Sequence, residues 1–248
     1  MQMSYRLSDP IGTQATLGLI ALQTDETIEP ELQRIFAAED VALYVSRVPS
    51  APDVTPETLA TMADELPRAA GLLPPSLHFD AIGYGCTSGA TIIGPDRVAD
   101  LVRGASNVGG VTNPLSAVLA GLTALKARRV AMVTPYIESV TAPMREVLIA
   151  SGFTVPATVS FDEAIEARVA RIDPASIVAA ALEVGKADVD AVFLSCTNLR
   201  TLGIIDEIEH ALDKPVISSN QALAWHMAQI SGAFCSVRAG YLMRGARL

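Results

Sequence analysis

AIGYGCTSGAT (Ala81–Thr91) and AVFLSCTNLRT (Ala191–Thr201) share one order: an apolar run, a cysteine, a threonine, a polar residue, then a segment able to continue as helix. A short apolar run bounded by turn-forming residues reads as a buried strand, and the polar residues behind it as the turn into the next helix. In open α/β sheets such turns line the carboxyl edge, where ligands bind. Meeting the arrangement twice predicts a fold built from two similar halves.

The flanking sequence supports that prediction. ATLGLIAL (15–22), VALYVSRV (41–48) and FDAIGYG (79–85) read as strands, alternating with helical periodicity over 28–39, 56–73 and 88–103. The order then recurs, with strands in RRVAMVTP (128–135), GFTVPATVS (152–160) and VDAVFLS (189–195) and helices over 140–151, 174–185 and 202–212. Thr24 precedes Cys86 by 62 residues, and Thr134 precedes Cys196 by the same 62. Later in each half, VTNPLSA (111–117) and SSNQALA (218–224) align Thr112 with Ser219, Asn113 with Asn220 and Ala117 with Ala224. A self-similar spacing of this kind marks a duplication. The expected fold is α/β, with two pseudo-twofold-related lobes, each a parallel β-sheet flanked by helices. The expected division is 1–110 for the first lobe, 111–220 for the second, and 221–248 as a terminal helix packing back on the first.

Composition narrows the function. The chain has 248 residues, 50% of them hydrophobic and 18% charged, and a formal net charge of −9. That balance suits buried parallel strands and offers no basic footprint for nucleic acid or an anionic membrane. No apolar run is long enough to cross a bilayer, and the first residues, MQMSYRLSDPIGTQ, lack a signal-peptide layout, so a cytosolic protein is expected. Three cysteines (Cys86, Cys196, Cys235) make no disulfide framework, and His78, His210 and His226 show no metal-ligand spacing with them. Neither a nucleotide loop, nor a metal, nor another cofactor is implied, and a small molecule is the expected partner.

A single cysteine is ordinarily a small buried hydrophobe. Two at equivalent strand ends predict a shared cleft in which Cys86 and Cys196 face one ligand. Each would sit at a helix N-terminus whose N–H groups and dipole lower the thiol pKa. Two such groups can act as base and acid on opposite faces, or as nucleophile and proton donor. Thr87, Ser88, Thr197 and Asn198 supply backbone and side-chain donors for a carboxylate or an enolate-like charge, and are equally good helix caps.

GLIALQTDETIE, GYGCTSG, VTPY, FLSCTNLRT and PVISSNQALAWH together resemble the maleate cis-trans isomerase family, within the aspartate/glutamate racemase superfamily that also holds arylmalonate decarboxylases. The resemblance spans nearly the whole chain. It implies a cofactor-independent isomerase or racemase acting on a small carboxylate, in a homo-oligomer, with Cys86 as nucleophile or first base and Cys196 as second acid/base. It also implies Tyr136 as a hydrogen-bond donor to a substrate carboxylate. The decarboxylase relatives keep only the second cysteine. Where the isomerases carry substrate-binding asparagines, this chain has Asp25 and, more loosely matched, Glu166. An acid there repels a dicarboxylate and attracts an ammonium or amidinium group, and in this the chain resembles the ectoine-utilisation branch. Asp25 is at the same time placed to cap the helix that follows. Arg200 is expected to add carboxylate affinity. The alternative class of function is a non-catalytic binding protein for a zwitterionic metabolite.

Overall fold

The computed structural model describes residues 3–245. The first sheet is laid down by β1 (Ala15–Leu22), α1 (Ile28–Ile35), β2 (Val41–Val48), α2 (Pro56–Ala70), β3 (Phe79–Gly85), α3 (Thr87–Ile93), α4 (Pro95–Arg103) and β4 (Val108–Thr112). After α5 (Pro114–Ala124) the second sheet follows with β5 (Arg129–Thr134), α6 (Glu138–Ala150), β6 (Thr154–Ser160), α7 (Glu166–Val169), α8 (Pro174–Val184), β7 (Ala191–Leu194), α9 (Ile205–Leu212) and β8 (Val216–Ser218). Two helices close the described chain, α10 (Ser219–Ser231) and α11 (Gly240–Arg244).

Both sheets are parallel and have the same strand order, β2-β1-β3-β4 and β6-β5-β7-β8. All eight residues of β1 and all four of β7 are buried, as strands covered on both faces require. The lobes do not have separate cores. One hydrophobic cluster joins Leu17, Leu19 and Ile82 of the first sheet to Val133, Val192 and Leu194 of the second. A second cluster fills the other face of the second sheet, where Met132, Phe193 and Ile217 meet Val118 and Leu122 of α5. Among the described residues no helix is long and apolar enough to cross a membrane.

Three expectations need correction. The helix read over 88–103 is two helices, because Gly94 adopts φ 92°, a value that favours glycine, and Pro95 then restarts the chain as the first residue of α4. The seam placed between 110 and 111 falls inside β4, which pairs with β3 through Thr112. The terminal helix read over 221–248 is α10 and α11, interrupted where Gly232 takes a left-handed conformation (φ 73°); residues 246–248 lie outside the described chain. Of the two, α10 packs on β3 and β4 of the first sheet, whereas α11 packs on β8 and α9 of the second lobe.

Candidate active site

Both sheets present their carboxyl ends to one another, and the residues after β3 and β7 meet there. Thr197 Oγ1 donates to the Gly85 carbonyl at 3.4 Å, joining the residue after one cysteine to the residue before the other. Ordinary chain geometry then limits the Cα atoms of Cys86 and Cys196 to about 12 Å apart. Both thiols are buried, at 2% and 1% exposure.

Cys86 is the N-cap of α3, with Sγ accepting from the Gly89 N–H at 3.1 Å and Ser88 Oγ 3.7 Å away. Glycine at 89 is a steric requirement here. A Cβ would lie 2.6 Å from the Tyr84 hydroxyl and 2.8 Å from Cys86 Sγ. Cys196 departs from expectation, since it leads into turns and α9 begins only at Ile205. Its sulfur instead accepts from Tyr136 Oη at 2.9 Å and from the Asn198 N–H at 3.2 Å. The tyrosine expected to serve a substrate carboxylate therefore has its hydroxyl on the second thiol, while its carbonyl accepts from Thr141 and Ser160.

The lowered thiol pKa read from the strand-end position is overturned. Burial pushes Cys86 up to about 12 against the lowering effect of the Gly89 N–H, and pushes Cys196 well above the usual thiol range. Desolvation of a thiolate outweighs one or two N–H bonds when the group has no contact with water. The negative charge of Glu166 raises both thiols further, and Asp25 adds to the effect on Cys196.

Asn198 holds the two lobes together at this point. Its Oδ1 accepts from the Glu26 N–H at 2.9 Å, its Nδ2 donates to Glu166 Oε2 at 2.8 Å, and its carbonyl accepts from Thr27 Oγ1 at 3.0 Å. Thr87, by contrast, directs its hydroxyl to Ser219 at 2.8 Å, and so joins α3 to α10. Asp25 combines two roles. Oδ1 accepts from Thr27 and Ile28 N–H groups at 2.7 and 2.8 Å, which caps α1, while Oδ2 is buried and has no hydrogen-bond partner. The nearby Thr197 hydroxyl favours the ionised Asp25, yet its own hydrogen bond goes to Gly85. Burial raises the Asp25 carboxyl, and raises Glu166 to about 7. Arg200 is exposed and does not line the site.

Three contributors were missed. Tyr84 lies two residues before Cys86 on the same strand face, and its hydroxyl sits beside the thiol while donating to Met62 Sδ at 3.7 Å; strand parity was the available signal. Glu31 accepts from the Thr201 and Leu202 N–H groups, each at 2.9 Å, and from Asn220 Nδ2 at 2.8 Å, which fixes the loop behind Cys196. Asn220 also donates to the Thr197 carbonyl at 2.7 Å. An open cavity of about 620 Å³, bordered by Trp225, Phe234 and Arg238, contains neither Cys86 nor Cys196.

Because Glu166 raises both thiols, Glu166→Gln is expected to shift the pH midpoint of thiol alkylation downward at Cys86 and at Cys196. Site-resolved mass spectrometry of iodoacetamide labelling across pH measures it. An unchanged midpoint at both positions refutes the coupling.

Two parallel sheets of like order, meeting at a pair of buried cysteines, define a duplicated α/β protein with both thiols at the lobe junction. The chain belongs to the arylmalonate decarboxylase family, whose profile matches residues 96–240. It is 35% identical to the arylmalonate decarboxylase of Bordetella bronchiseptica over 132 residues, a stretch spanning 52% of this chain and 55% of that relative. Similarity to the maleate isomerase of Nocardia farcinica is 27% over 220 residues and reaches further, across 84% of this chain and 87% of the relative. The maleate isomerase Iso of Pseudomonas putida, solved as a cysteine-to-alanine variant with maleate, superimposes with a TM-score of 0.83 at 25% identity, over 94% of this chain and 98% of that one.

Proposed function

We propose that the protein is a cofactor-independent isomerase that uses Cys86 and Cys196 on a small carboxylate. The observation that carries this reading is the Thr197–Gly85 contact, which brings two buried cysteines from duplicated positions to one junction. In cis-trans isomerisation, Cys86 Sγ, as thiolate, adds to one alkene carbon and the π pair moves onto the conjugated carboxylate. The carbon–carbon bond, now single, rotates; the pair returns and the thiolate leaves. Cys196, hydrogen-bonded by Tyr136 and Asn198, holds the proton for any route that passes through a protonated carbon. Thr87 and Ser88 at the first strand end, with Thr197 at the second, provide the backbone N–H groups that face a bound carboxylate, while Asn198 positions Cys196 and Glu166 beside it. Asp25 and Glu166 complete the proposed binding set. The lobe division belongs to the same reading, with its seam at 112 and α10 assigned to the first lobe, as do assembly into a homo-oligomer, a cytosolic location and a role in ectoine utilisation.

Decarboxylation is the second reading, favoured by the family profile and the 35% identity to an arylmalonate decarboxylase. The presence of Cys86 opposes it, since the resemblance implies that decarboxylases keep only the second cysteine. Proton NMR in deuterium oxide tests both, using maleate, (Z)-4-aminobut-2-enoate, 2,4-diaminobutyrate and an arylmalonate. The expected result is a trans alkene from one of the enoates or α-deuteration of the amino acid. Turnover confined to loss of carbon dioxide from the arylmalonate overturns the isomerase reading.

A further inference from the structure

Relatives of this chain are named for dicarboxylates, and one was solved with maleate. A site for a dianion needs cations or a surplus of neutral donors. The cysteine junction here has two buried carboxylates, one from each lobe. Asp25 is 3% exposed and Glu166 5% exposed, and among the described residues neither has an ion-pair partner. Arg47 approaches the Asp25 loop, but its guanidinium donates to the Leu22 and Asp25 carbonyls and to Glu29. Asn198 ties the Asp25 loop to Glu166, accepting from Glu26 on one side and donating to Glu166 on the other.

The decisive atom is Asp25 Oδ2. Oδ1 alone accepts the Thr27 and Ile28 N–H groups at the start of α1, and Oδ2 is a buried oxygen that the fold leaves without a hydrogen bond. A lone buried carboxylate oxygen is costly unless a donor arrives. Glu166 is held by Asn198 through Oε2.

We propose that the site takes a small carboxylate carrying a cationic nitrogen, ammonium or amidinium, and that Asp25 and Glu166 receive this nitrogen while the thiols address the carbon skeleton. The proposal deepens the isomerase reading by naming its substrate class, and rests on that reading for the reaction alone. A cation at this position also offsets the carboxylate charge that adds to burial in raising both thiols, so the class of substrate that fits is one that favours the thiolate. Asp25 and Glu166 are thereby the residues that separate this site from one for maleate.

A matched pair of probes tests the proposal. Maleate and (Z)-4-aminobut-2-enoate share a cis alkene and one carboxylate, and differ in whether the other end is an anion or a cation. Calorimetric titration of the whole protein is expected to give at least about tenfold tighter binding of the amino probe. Asp25→Asn/Glu166→Gln is expected to erase or invert that preference; should the double variant not fold, Glu166→Gln alone reduces it. Maleate binding as tightly as the amino probe in the unaltered protein overturns the proposal. So does binding of neither probe, and so does a preference that survives in a folded variant. NMR of the same samples keeps the two readings apart. Preferential binding of the amino probe without isomerisation defeats the enzyme and leaves the charge assignment standing, whereas turnover of preferentially bound maleate defeats the charge assignment alone.

Discussion

Cys86→Ala and Cys196→Ala, made separately, are each expected to lower turnover by at least about 10³-fold, and the double variant to be scarcely worse than either single one. The reason is that the two sulfurs act in one reaction. Without Cys86 no nucleophile is left at the first strand end, because Ser88 Oγ is a far poorer one at neutral pH. Without Cys196, Tyr136 Oη and the Asn198 N–H lose the atom they converge on. Two unpaired buried donors cost stability as well, about 1–3 kcal/mol each at most, so the loss of turnover is to be read on protein shown to be folded. Cys196→Ser keeps an acceptor for both donors and should restore the stability without the rate. Kinetics by NMR with the substrate found above, alongside thermal melts, measure these effects. Full activity in either alanine variant removes the paired-thiol mechanism.

Glu31→Ala is the change expected to cost most in stability, about 3–5 kcal/mol. The carboxylate takes three donors from segments 170 to 189 residues away in sequence, namely the Thr201 and Leu202 N–H groups and the Asn220 amide. Alanine leaves all three buried and unpaired, while Glu31→Gln keeps one acceptor oxygen and should lose markedly less. Denaturant titration of the three proteins gives the ordering. Equal midpoints for the alanine variant and the unaltered protein would falsify the assignment of Glu31 as the anchor of this loop. The same residue leaves a signature in pH. Burial raises Glu31 in the folded protein to about 7 from an ordinary 4.5, and does the same to Glu166. Between those values these two carboxyls hold more protons in the folded chain than in the unfolded one, so their contribution to stability is greatest toward pH 4.5 and falls as pH rises to about 7. Glu31→Gln and Glu166→Gln should each flatten that decline.

The strands that carry the site were plain in the sequence because each combines β-branched or apolar runs with a turn residue at its end. β1, β2 and β3 fall on the residues expected, 15–22, 41–48 and 79–85. β4 was not legible: VGGVT has two glycines in five positions and little of the side-chain bulk that marks a strand. β8, at three residues, is too short to have a period. The pairing of Cys86 with Cys196 was legible because sheet topology converts equal spacing into equal position. Their protonation was not, since the sequence displays the N–H groups near Cys86 but not the closure of two lobes over it, and closure is the larger effect. On sequence alone Asp25 is equally a cap or a binding group; in the fold Oδ1 accepts the Thr27 and Ile28 N–H groups, while Oδ2 has no hydrogen-bond partner. Glu31 looked like any acid in the first turn of an amphipathic helix, because what distinguishes it lies far along the chain.

The packing of α10 on β3 and β4 has a consequence for biosynthesis. The sheet that bears Cys86 receives one of its covering helices from residues 219–231, made only after every strand of the other lobe. On the ribosome, therefore, the nascent first half keeps an apolar face uncovered until residues 219–231 have emerged, long after its own strands are complete.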